Sequence, residues 1–324
     1  MTKKVFVTRR IPEEGLHLLQ KEVEIKVNPY DRVLTKEEII AGLKGKDGLL
    51  CLLSDTIDKD IITAEPKLRM IANCAVGFDN IDVQAATEKI IPVSNTPGVL
   101  TDTTAEMAWA LLFAVARRIV EGDTFTRAGK FAGWAPLLML GKDISGKTLG
   151  IIGTGRIGTA FAQKSKGFNL KVLYTDVQEN KELEQSVSAK KVELATLLQE
   201  SDFVSVHVPL LKTTYHLIGE QELKLMKSDA ILINTSRGPV VDEQALIKAL
   251  QEKWIFGAGL DVYEHEPSVS EELKNLDNVV LQPHSASATI ESRTKMALMA
   301  AENMLAGLRG EIPPNCVNKE IFQR

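Results

Sequence analysis

The 324-residue chain has only three cysteines, Cys51, Cys74 and Cys316, and no two of them form a CxxC pair. This scatter excludes a disulfide framework and a cysteine-ligated zinc site, and it is typical of free thiols in a reducing compartment. The longest uncharged apolar stretch, residues 107–116, is about half of what a membrane-spanning helix requires. The apolar run at the start of the chain is also too short for a signal peptide. These absences predict a cytoplasmic protein that does not associate with a membrane.

The chain also lacks an excess of charge of one sign. Its net charge of −4 gives no reason to expect a nucleic acid or an anionic membrane as a partner. Repeats and low-complexity segments are absent, and 44% hydrophobic with 25% charged residues is an ordinary globular composition. A chain of this length suits two domains better than one small core.

Short apolar runs alternate with amphipathic segments through the first hundred residues. Thr35 and Glu38 have capping-box spacing and predict the start of a helix over 35–43, and a second helix is predicted over 12–20. The runs predicted as strands are residues 4–8, 23–27, 48–53, 68–72 and 91–94. Strands alternating with helices indicate a parallel sheet that is covered on both faces.

The rest of the chain predicts a second α/β unit. A long helix is expected over 102–120, an irregular stretch over 129–146 and a final helix over 289–309, before a tail that its prolines keep extended. The predicted strands are residues 149–152, 170–175, 203–208, 230–234, 258–261 and 279–281, and six strands make a full dinucleotide fold.

We therefore predict two doubly wound parallel-sheet domains with a cleft between them. Residues 1–99 and 289–324 would form a discontinuous, flavodoxin-like substrate or lid domain. Residues 100–288 would form a Rossmann dinucleotide-binding domain, with a dimerisation segment at about 121–146.

A glycine motif in this second unit carries the most information. Gly153, Gly155 and Gly158 follow the strand 149–152 in GxGxxG spacing and open a helix. In the dinucleotide-binding fingerprint the first glycine allows a tight turn, the second lets the backbone approach a pyrophosphate, and the third permits close helix–strand packing. The helix N-terminus offers unpaired N–H groups to the phosphates.

Asp176 lies at the end of the next strand, and its carboxylate bears on which dinucleotide the chain binds. A carboxylate at this position can accept hydrogen bonds from both ribose hydroxyls of an adenosine, and it would repel a 2′-phosphate. The sequence thus predicts NAD(H) in preference to NADP(H). The alternative is a solvated aspartate that caps the next helix.

Three neighbouring strand ends carry groups suited to keto-acid reduction: Arg237, Glu266 and His284. An arginine fork can hold a carboxylate and polarise a carbonyl. A histidine can donate a proton to a nascent alkoxide, and a carboxylate on its other ring nitrogen fixes the tautomer. The dinucleotide carries the hydride, so no metal is required. His207, also at a strand end, is the serious competitor for the proton role.

Several motifs together resemble the D-isomer-specific 2-hydroxyacid dehydrogenase family, and most of all its glyoxylate/hydroxypyruvate reductase branch. The resemblance covers essentially the whole chain. It rests on the glycine loop and on residues 76–82, 95–99, 207–210, 232–238, 257–262 and 283–284.

The resemblance implies roles for individual residues. The family's catalytic arginine, glutamate and histidine correspond to Arg237, Glu266 and His284. Its loops that bind the substrate carboxylate through backbone N–H groups correspond to Leu53, Ser54, Val76 and Gly77. The implied cofactor contacts, beyond the three glycines, Asp176, Arg237 and His284, are Thr104, Arg156, Ile157, His207, Val208, Pro209, Thr235 and Asp261, with Asp261 facing the nicotinamide carboxamide.

The chain departs from the family pattern in two respects. Ser285 and Ala286 follow the histidine where relatives usually have an apolar residue and then glycine, which could alter substrate fit. Some relatives also carry a polar or basic residue in place of Asp176 and use NADPH, so the resemblance alone leaves the cofactor open and NADP(H) stays an alternative. In this branch the segment matching residues 133–136 often reaches across a homodimer, which implies that Trp134 serves the partner's active site. Alternatively, Trp134 packs only within its own interface.

The expected activity is therefore reduction of small 2-keto acids, glyoxylate to glycolate and hydroxypyruvate to D-glycerate. Alternatives within the family are 2-ketogluconate reductase, D-3-phosphoglycerate dehydrogenase, formate and D-lactate dehydrogenases. A different class, the dinucleotide-sensing binding proteins, is represented by corepressors that resemble this family. The complete set of arginine, glutamate and histidine favours the enzyme.

Overall fold

The computed structural model describes residues 2–323. Its strands are β1 Lys4–Val7, β2 Glu24–Val27, β3 Gly48–Cys51, β4 Met70–Asn73, β5 Val93–Ser94, β6 Thr148–Ile152, β7 Lys171–Thr175, β8 Lys190–Lys191, β9 Phe203–Val206, β10 Ile231–Asn234, β11 Gly257–Leu260 and β12 Val279–Leu281. Its α-helices are α1 Glu13–Gln20, α2 Lys36–Leu43, α3 Lys59–Ala64, α4 Val83–Glu88, α5 Thr101–Ala116, α6 Ile119–Arg127, α7 Arg156–Lys164, α8 Lys181–Val187, α9 Leu194–Glu200, α10 Glu220–Leu225, α11 Glu243–Gln251, α12 Glu271–Lys274 and α13 Ile290–Arg309.

The chain divides into two compact units. The first, Met1–Leu100 with Ala288–Arg324, contains a five-stranded parallel sheet in the order β2-β1-β3-β4-β5. Its terminal helix α13 packs on α1 and β4, and a side chain at Gly15 would collide with Ala297. The glycine is what allows these two helices to approach so closely.

The second unit, Thr101–Ser287, contains a seven-stranded parallel sheet in the order β12-β11-β10-β9-β6-β7-β8. The order runs outward in both directions from β6, which is the topology of a dinucleotide fold. Its apolar core lies on both faces of the sheet, with Leu149 and Ile233 on one side and Leu232 and Val206 on the other. The prediction of two parallel-sheet α/β domains is confirmed.

Local signals in the sequence account for several helix ends. Thr35 and Glu38 form the reciprocal capping box that their spacing predicts at the start of α2. Thr289 caps α13 by accepting from the Ser292 N–H, and Gly310 closes that helix in the left-handed conformation.

The predicted single helix over 102–120 is wrong. The chain leaves α5 at Ala116, passes through Arg118 in the left-handed conformation and starts α6 at Ile119. The Ala116 carbonyl accepts a hydrogen bond from the Lys142 N–H at 2.7 Å, and Gly141 lies directly against it. A distant loop thus takes the place of the next helical turn.

Two further expectations differ from the structure. The prediction of six strands missed β8, because its two lysines carry no apolar signal. The tail after α13 is less extended than its prolines suggest, since the Pro313 carbonyl accepts from the Cys316 N–H in a turn, and Lys319–Gln323 form a short 3₁₀ helix. No helix between residues 2 and 323 is long and apolar enough to cross a membrane.

Candidate active site

The glycine turn between β6 and α7 has the geometry that a phosphate-binding turn needs. Gly153 has φ of +91°, which side chains rarely tolerate, and a Cβ there would lie 2.7 Å from Val208 Cγ1. Gly158 sits directly against the Gly153 carbonyl, so helix and turn meet without an intervening side chain. Beside Gly155 there is open space. Arg156 and Ile157 begin α7, whose free N–H groups point toward this turn.

Asp176 follows β7 and faces this turn. Its Oδ2 accepts hydrogen bonds from the Thr154 N–H at 2.6 Å and the Thr154 hydroxyl at 3.0 Å. Burial acts to raise the pKa of Asp176, but these two hydrogen bonds outweigh it and hold the pKa below its usual value. The carboxylate is therefore ionised, and its Oδ1 accepts a long hydrogen bond of 3.4 Å from the Gln178 N–H.

His284 and Glu266 form a hydrogen-bonded pair. His284 Nδ1 lies 2.8 Å from Glu266 Oε2, and Glu266 Oε1 accepts from the Tyr263 N–H at 3.0 Å. Burial acts to raise the pKa of Glu266, but the contact with His284 and the nearby Arg237 charge outweigh it and lower the pKa. Because the glutamate occupies Nδ1, the other ring nitrogen, Nε2, is left for a reacting group.

Asp261, at the end of β11, holds the turn that carries His284. Its side chain is 0% exposed, and its two oxygens accept from the Ser285 N–H at 2.7 Å and the Ala286 N–H at 2.8 Å. Burial raises the pKa of Asp261 despite these bonds. His284 itself has φ of +52°, an unusual conformation for a histidine, so the adjoining turn needs such an anchor. The expected contact of Asp261 with a nicotinamide carboxamide stays a prediction.

Arg237 lies in the turn after β10. Asn234 shapes that turn: its Nδ2 donates to the Arg237 carbonyl at 3.0 Å, and its Oδ1 accepts from the Ser236 N–H. Gly238 then packs directly on the backbone of Tyr263, in the loop that leads to Glu266. Sequence reasoning assigned no role to Asn234, although an asparagine directly after a buried strand is a recognisable turn former.

The three proposed catalytic residues thus come from the ends of β10, β11 and β12, which are neighbours in the sheet. The parallel arrangement brings all three strand ends to one edge.

His207 is in a different environment. Burial lowers its pKa to about 3, so the imidazole is neutral at physiological pH. Its Nε2 lies 2.9 Å from the Ser205 hydroxyl, and its ring packs against Phe161. A ring that stays neutral is poorly suited to supply a proton, which favours His284 for that role.

The other predicted contact residues lie on the following elements. In the second unit, Thr104 is buried on α5, Val208 and Pro209 follow β9, and Thr235 follows β10. Within residues 2–323, the buried Thr235 hydroxyl has no hydrogen-bond partner, as expected of a group kept for a ligand. With the open space at Gly155 and the ionised Asp176 carboxylate beside the turn, these residues fit a dinucleotide.

The remaining predicted residues are the substrate loops and Trp134. In the first unit, Leu53 and Ser54 follow β3, and Val76 and Gly77 follow β4, its neighbour in the sheet. Trp134 lies in the irregular stretch after α6, with 85% of its surface exposed.

One group of side chains in the second unit has the composition of a metal site. His216, Asp242 and Glu264 place potential ligand atoms within 4.8 Å of one another. His216 Nε2 is 2.7 Å from Glu264 Oε1, and Glu264 Oε2 accepts from the Glu243 N–H. These bonds tie the loop of Glu266 to the start of α11, so the cluster supports the site structurally.

Comparison with known proteins gives the same picture. Residues 109–286 match the family model described as D-isomer specific 2-hydroxyacid dehydrogenase, NAD binding domain. A glyoxylate reductase of Thermococcus litoralis is 53% identical over 99% of this chain and 98% of its own length. One from Korarchaeum cryptofilum is also 53% identical, over 100% of this chain and 98% of its own.

A solved structure is similarly close in fold. The NADPH-dependent glyoxylate/hydroxypyruvate reductase of Sinorhizobium meliloti, in complex with NADP and malonate, superposes with a TM-score of 0.86 at 29% identity. The match covers 98% of this chain and 97% of that one.

Proposed function

Because the chain belongs to the D-isomer specific 2-hydroxyacid dehydrogenase family, we propose that it reduces glyoxylate to glycolate and hydroxypyruvate to D-glycerate. The observation that carries this proposal is the His284–Glu266 pair at the strand edge next to the Arg237 turn. The names of relatives about half identical over nearly the whole chain support the choice of substrate.

His284 is the proposed acid and base. Protonated, the imidazole donates from Nε2 to the oxygen that becomes the product hydroxyl, and in the reverse direction it takes that proton back. The ionised Glu266 at 2.8 Å stabilises the imidazolium and keeps the ring in one orientation. Arg237 holds the substrate carboxylate and polarises the keto group through its planar fork.

The dinucleotide, when bound, supplies the hydride that reduces the keto carbon. The residues proposed to hold it are the glycine turn for the pyrophosphate, Asp176 for the adenosine ribose and Thr235 for a polar group of the cofactor. We propose a preference for NADH, because the ionised Asp176 carboxylate would repel the 2′-phosphate of NADPH.

We further propose that the first unit serves the substrate. In this proposal the backbone N–H groups of Leu53, Ser54, Val76 and Gly77 bind the carboxylate of the keto acid.

We propose that the chain forms a homodimer through the surface around α6. Large apolar side chains crowd this helix and the irregular stretch after it, and none of the residues of α6 is buried. They are Ile119, Val120, Phe131, Trp134, Leu137 and Leu140, and each has more than half of its surface exposed. A second copy would remove them from water. Light scattering at micromolar concentration should give twice the chain mass of 35.6 kDa, and a monomer would contradict this proposal.

The function is tested by following NADH oxidation with glyoxylate, hydroxypyruvate, pyruvate, 2-ketogluconate and 3-phosphohydroxypyruvate, with NADPH in parallel. We expect rapid turnover of glyoxylate and hydroxypyruvate and slower turnover of the larger acids. No turnover across the panel while NADH still binds would overturn the proposal.

A further inference from the structure

Asn80 in the first unit ties together the two loops proposed to bind the substrate carboxylate. Its Nδ2 donates to the Leu52 carbonyl at 3.1 Å and to the Asp55 carbonyl at 2.9 Å. These carbonyls flank Leu53 and Ser54, so a single amide holds both ends of the turn after β3.

The other end of the same side chain reaches the second loop. Asn80 Oδ1 accepts from Asn73 Nδ2 at 3.0 Å, and Asn73 Nδ2 also donates to the Gly77 carbonyl at 2.9 Å. Asn73 is fully buried at the end of β4, which makes it a rigid support. The two amides therefore form a continuous bridge from the turn of Leu53 to the backbone of Gly77.

The backbone between these anchors offers donors to a ligand. Across the described residues, the N–H groups of Leu53, Ser54, Val76 and Gly77 have no hydrogen-bond partner within the chain. None of these residues is buried. Backbone N–H groups left free in neighbouring loops can bind an anion, and their effect depends on the distance between them.

We infer that Asn80 is a positioning residue that sets the spacing between the two N–H-bearing loops, and thereby the affinity for the carboxylate of the substrate. The inference rests on the proposed function, since it takes those N–H groups as the carboxylate site. Asn80 touches no reacting atom. Its loss should therefore weaken substrate binding and leave proton and hydride transfer largely intact.

The first variant is Asn80→Ala, with Asn318→Ala as its matched control. Asn318 is a buried amide of the same unit that also donates twice, to Thr87 Oγ1 and the Ile91 carbonyl, and accepts from the Val93 N–H. It lies at the amino end of β5, whereas the two loops follow the carboxyl ends of β3 and β4. Both variants should lose comparable thermal stability, because each leaves similar polar groups unpaired.

Only the Asn80 variant should weaken the binding of the substrate. We expect KM for glyoxylate to rise about tenfold to fiftyfold in Asn80→Ala, with kcat within about threefold of wild type and an unchanged Kd for NADH. The Asn318 variant should keep the wild-type KM.

Asn80→Asp gives a second measurement should the alanine variant fail to fold. The carboxylate can still accept from Asn73, but it sets a negative oxygen against the Leu52 and Asp55 carbonyls. We expect KM relative to wild type to rise at neutral pH and to recover as the pH is lowered, when the acid regains a proton to donate.

Oxalate binding to the enzyme–NADH complex, measured by NADH fluorescence, separates this inference from the proposed function. Oxalate presents a carboxylate and requires no turnover. Weaker oxalate binding in Asn80→Ala, with normal binding in Asn318→Ala, supports the inference even if the wild type does not reduce glyoxylate. Equal oxalate affinity in wild type and Asn80→Ala, or no oxalate binding by the wild type, overturns it even if glyoxylate is reduced.

Discussion

The carboxyl edges of the two sheets hold their functional groups by different chemistry. In the second unit the anchors are carboxylates: Glu266 orients His284, Asp261 holds the turn behind it, and Asp176 closes the glycine turn. In the first unit, two neutral amides, Asn73 and Asn80, bridge the two loops, and the Asp55 carboxylate accepts from the Leu52 N–H at the start of one of them.

Asp55 in the first unit and Glu266 in the second have pKa values shifted in opposite directions, whereas the buried Asp261 of the second unit shifts upward as Asp55 does. Asp55 accepts from the Thr8 hydroxyl at 2.5 Å and the Leu52 N–H at 2.8 Å, yet burial raises its pKa. The pKa of Glu266 is lowered, because a histidine and an arginine lie nearby. The proposed proton donor His284 therefore has a charged partner, whereas the loops proposed to present N–H groups are bridged by amides, which do not titrate.

The largest effect should come from His284→Ala, which removes the proposed proton donor from the edge of the second sheet. We expect kcat to fall about 10³- to 10⁴-fold, since positioned acid–base catalysis contributes up to that range. NADH should still bind, as measured by fluorescence. His207→Gln is the comparison histidine, and its kcat should stay well above that of His284→Ala even where its affinity for NADH falls. Full activity in His284→Ala would move the proton role to His207.

Glu266→Gln should have a smaller effect and should reveal the charge through its pH dependence. The pKa of Glu266 is depressed below its usual 4.5, so the pair with His284 contributes fully above that pH and is lost as pH falls through the lower, folded-state pKa. An amide stabilises an imidazolium less, so kcat for reduction should drop about tenfold to a hundredfold.

An unchanged kcat in Glu266→Gln would show that the glutamate only orients the ring. Asn80→Ala is the matched test at the edge of the first sheet. Its KM should rise by the same factor at every pH from about 6 to about 9, because a side-chain amide does not titrate.

Sequence reasoning succeeded where a local pattern determines the structure. Apolar runs marked every strand of the two sheets except β8, and the capping box of Thr35 and Glu38 marked a helix start. Arg237, Glu266 and His284 were assigned together because parallel strands end at one edge, and the structure has Glu266 and His284 in contact there. Their roles in catalysis stay predictions until the variants are measured.

The sequence does not predict the structure where a contact between distant parts of the chain determines it. The break after Ala116 depends on the Lys142 N–H from a loop more than twenty residues away, and nothing within 102–120 signals it. The bridge through Asn80 was missed for the same reason. An asparagine in a loop usually indicates a turn, and only the folded backbone shows that its amide spans two of them.

The smallest effect should come from Asp176→Ser, which removes the carboxylate that faces the proposed ribose position. If its charge excludes NADPH, the ratio of kcat/KM for NADH over NADPH should fall about tenfold, mainly through improved binding of NADPH. The serine hydroxyl can still hydrogen-bond a ribose, so NADH should lose little. The variant also releases Thr154, whose N–H and hydroxyl both bond to Asp176, and this could loosen the glycine turn for either cofactor. A Thr154→Val variant, which removes the hydroxyl bond to Asp176 but keeps the charge, separates the two effects. Equal losses of kcat/KM with NADH and NADPH in both variants would indicate a loosened turn. A changed ratio of kcat/KM for the two cofactors in Asp176→Ser alone would assign the selectivity to the charge of Asp176.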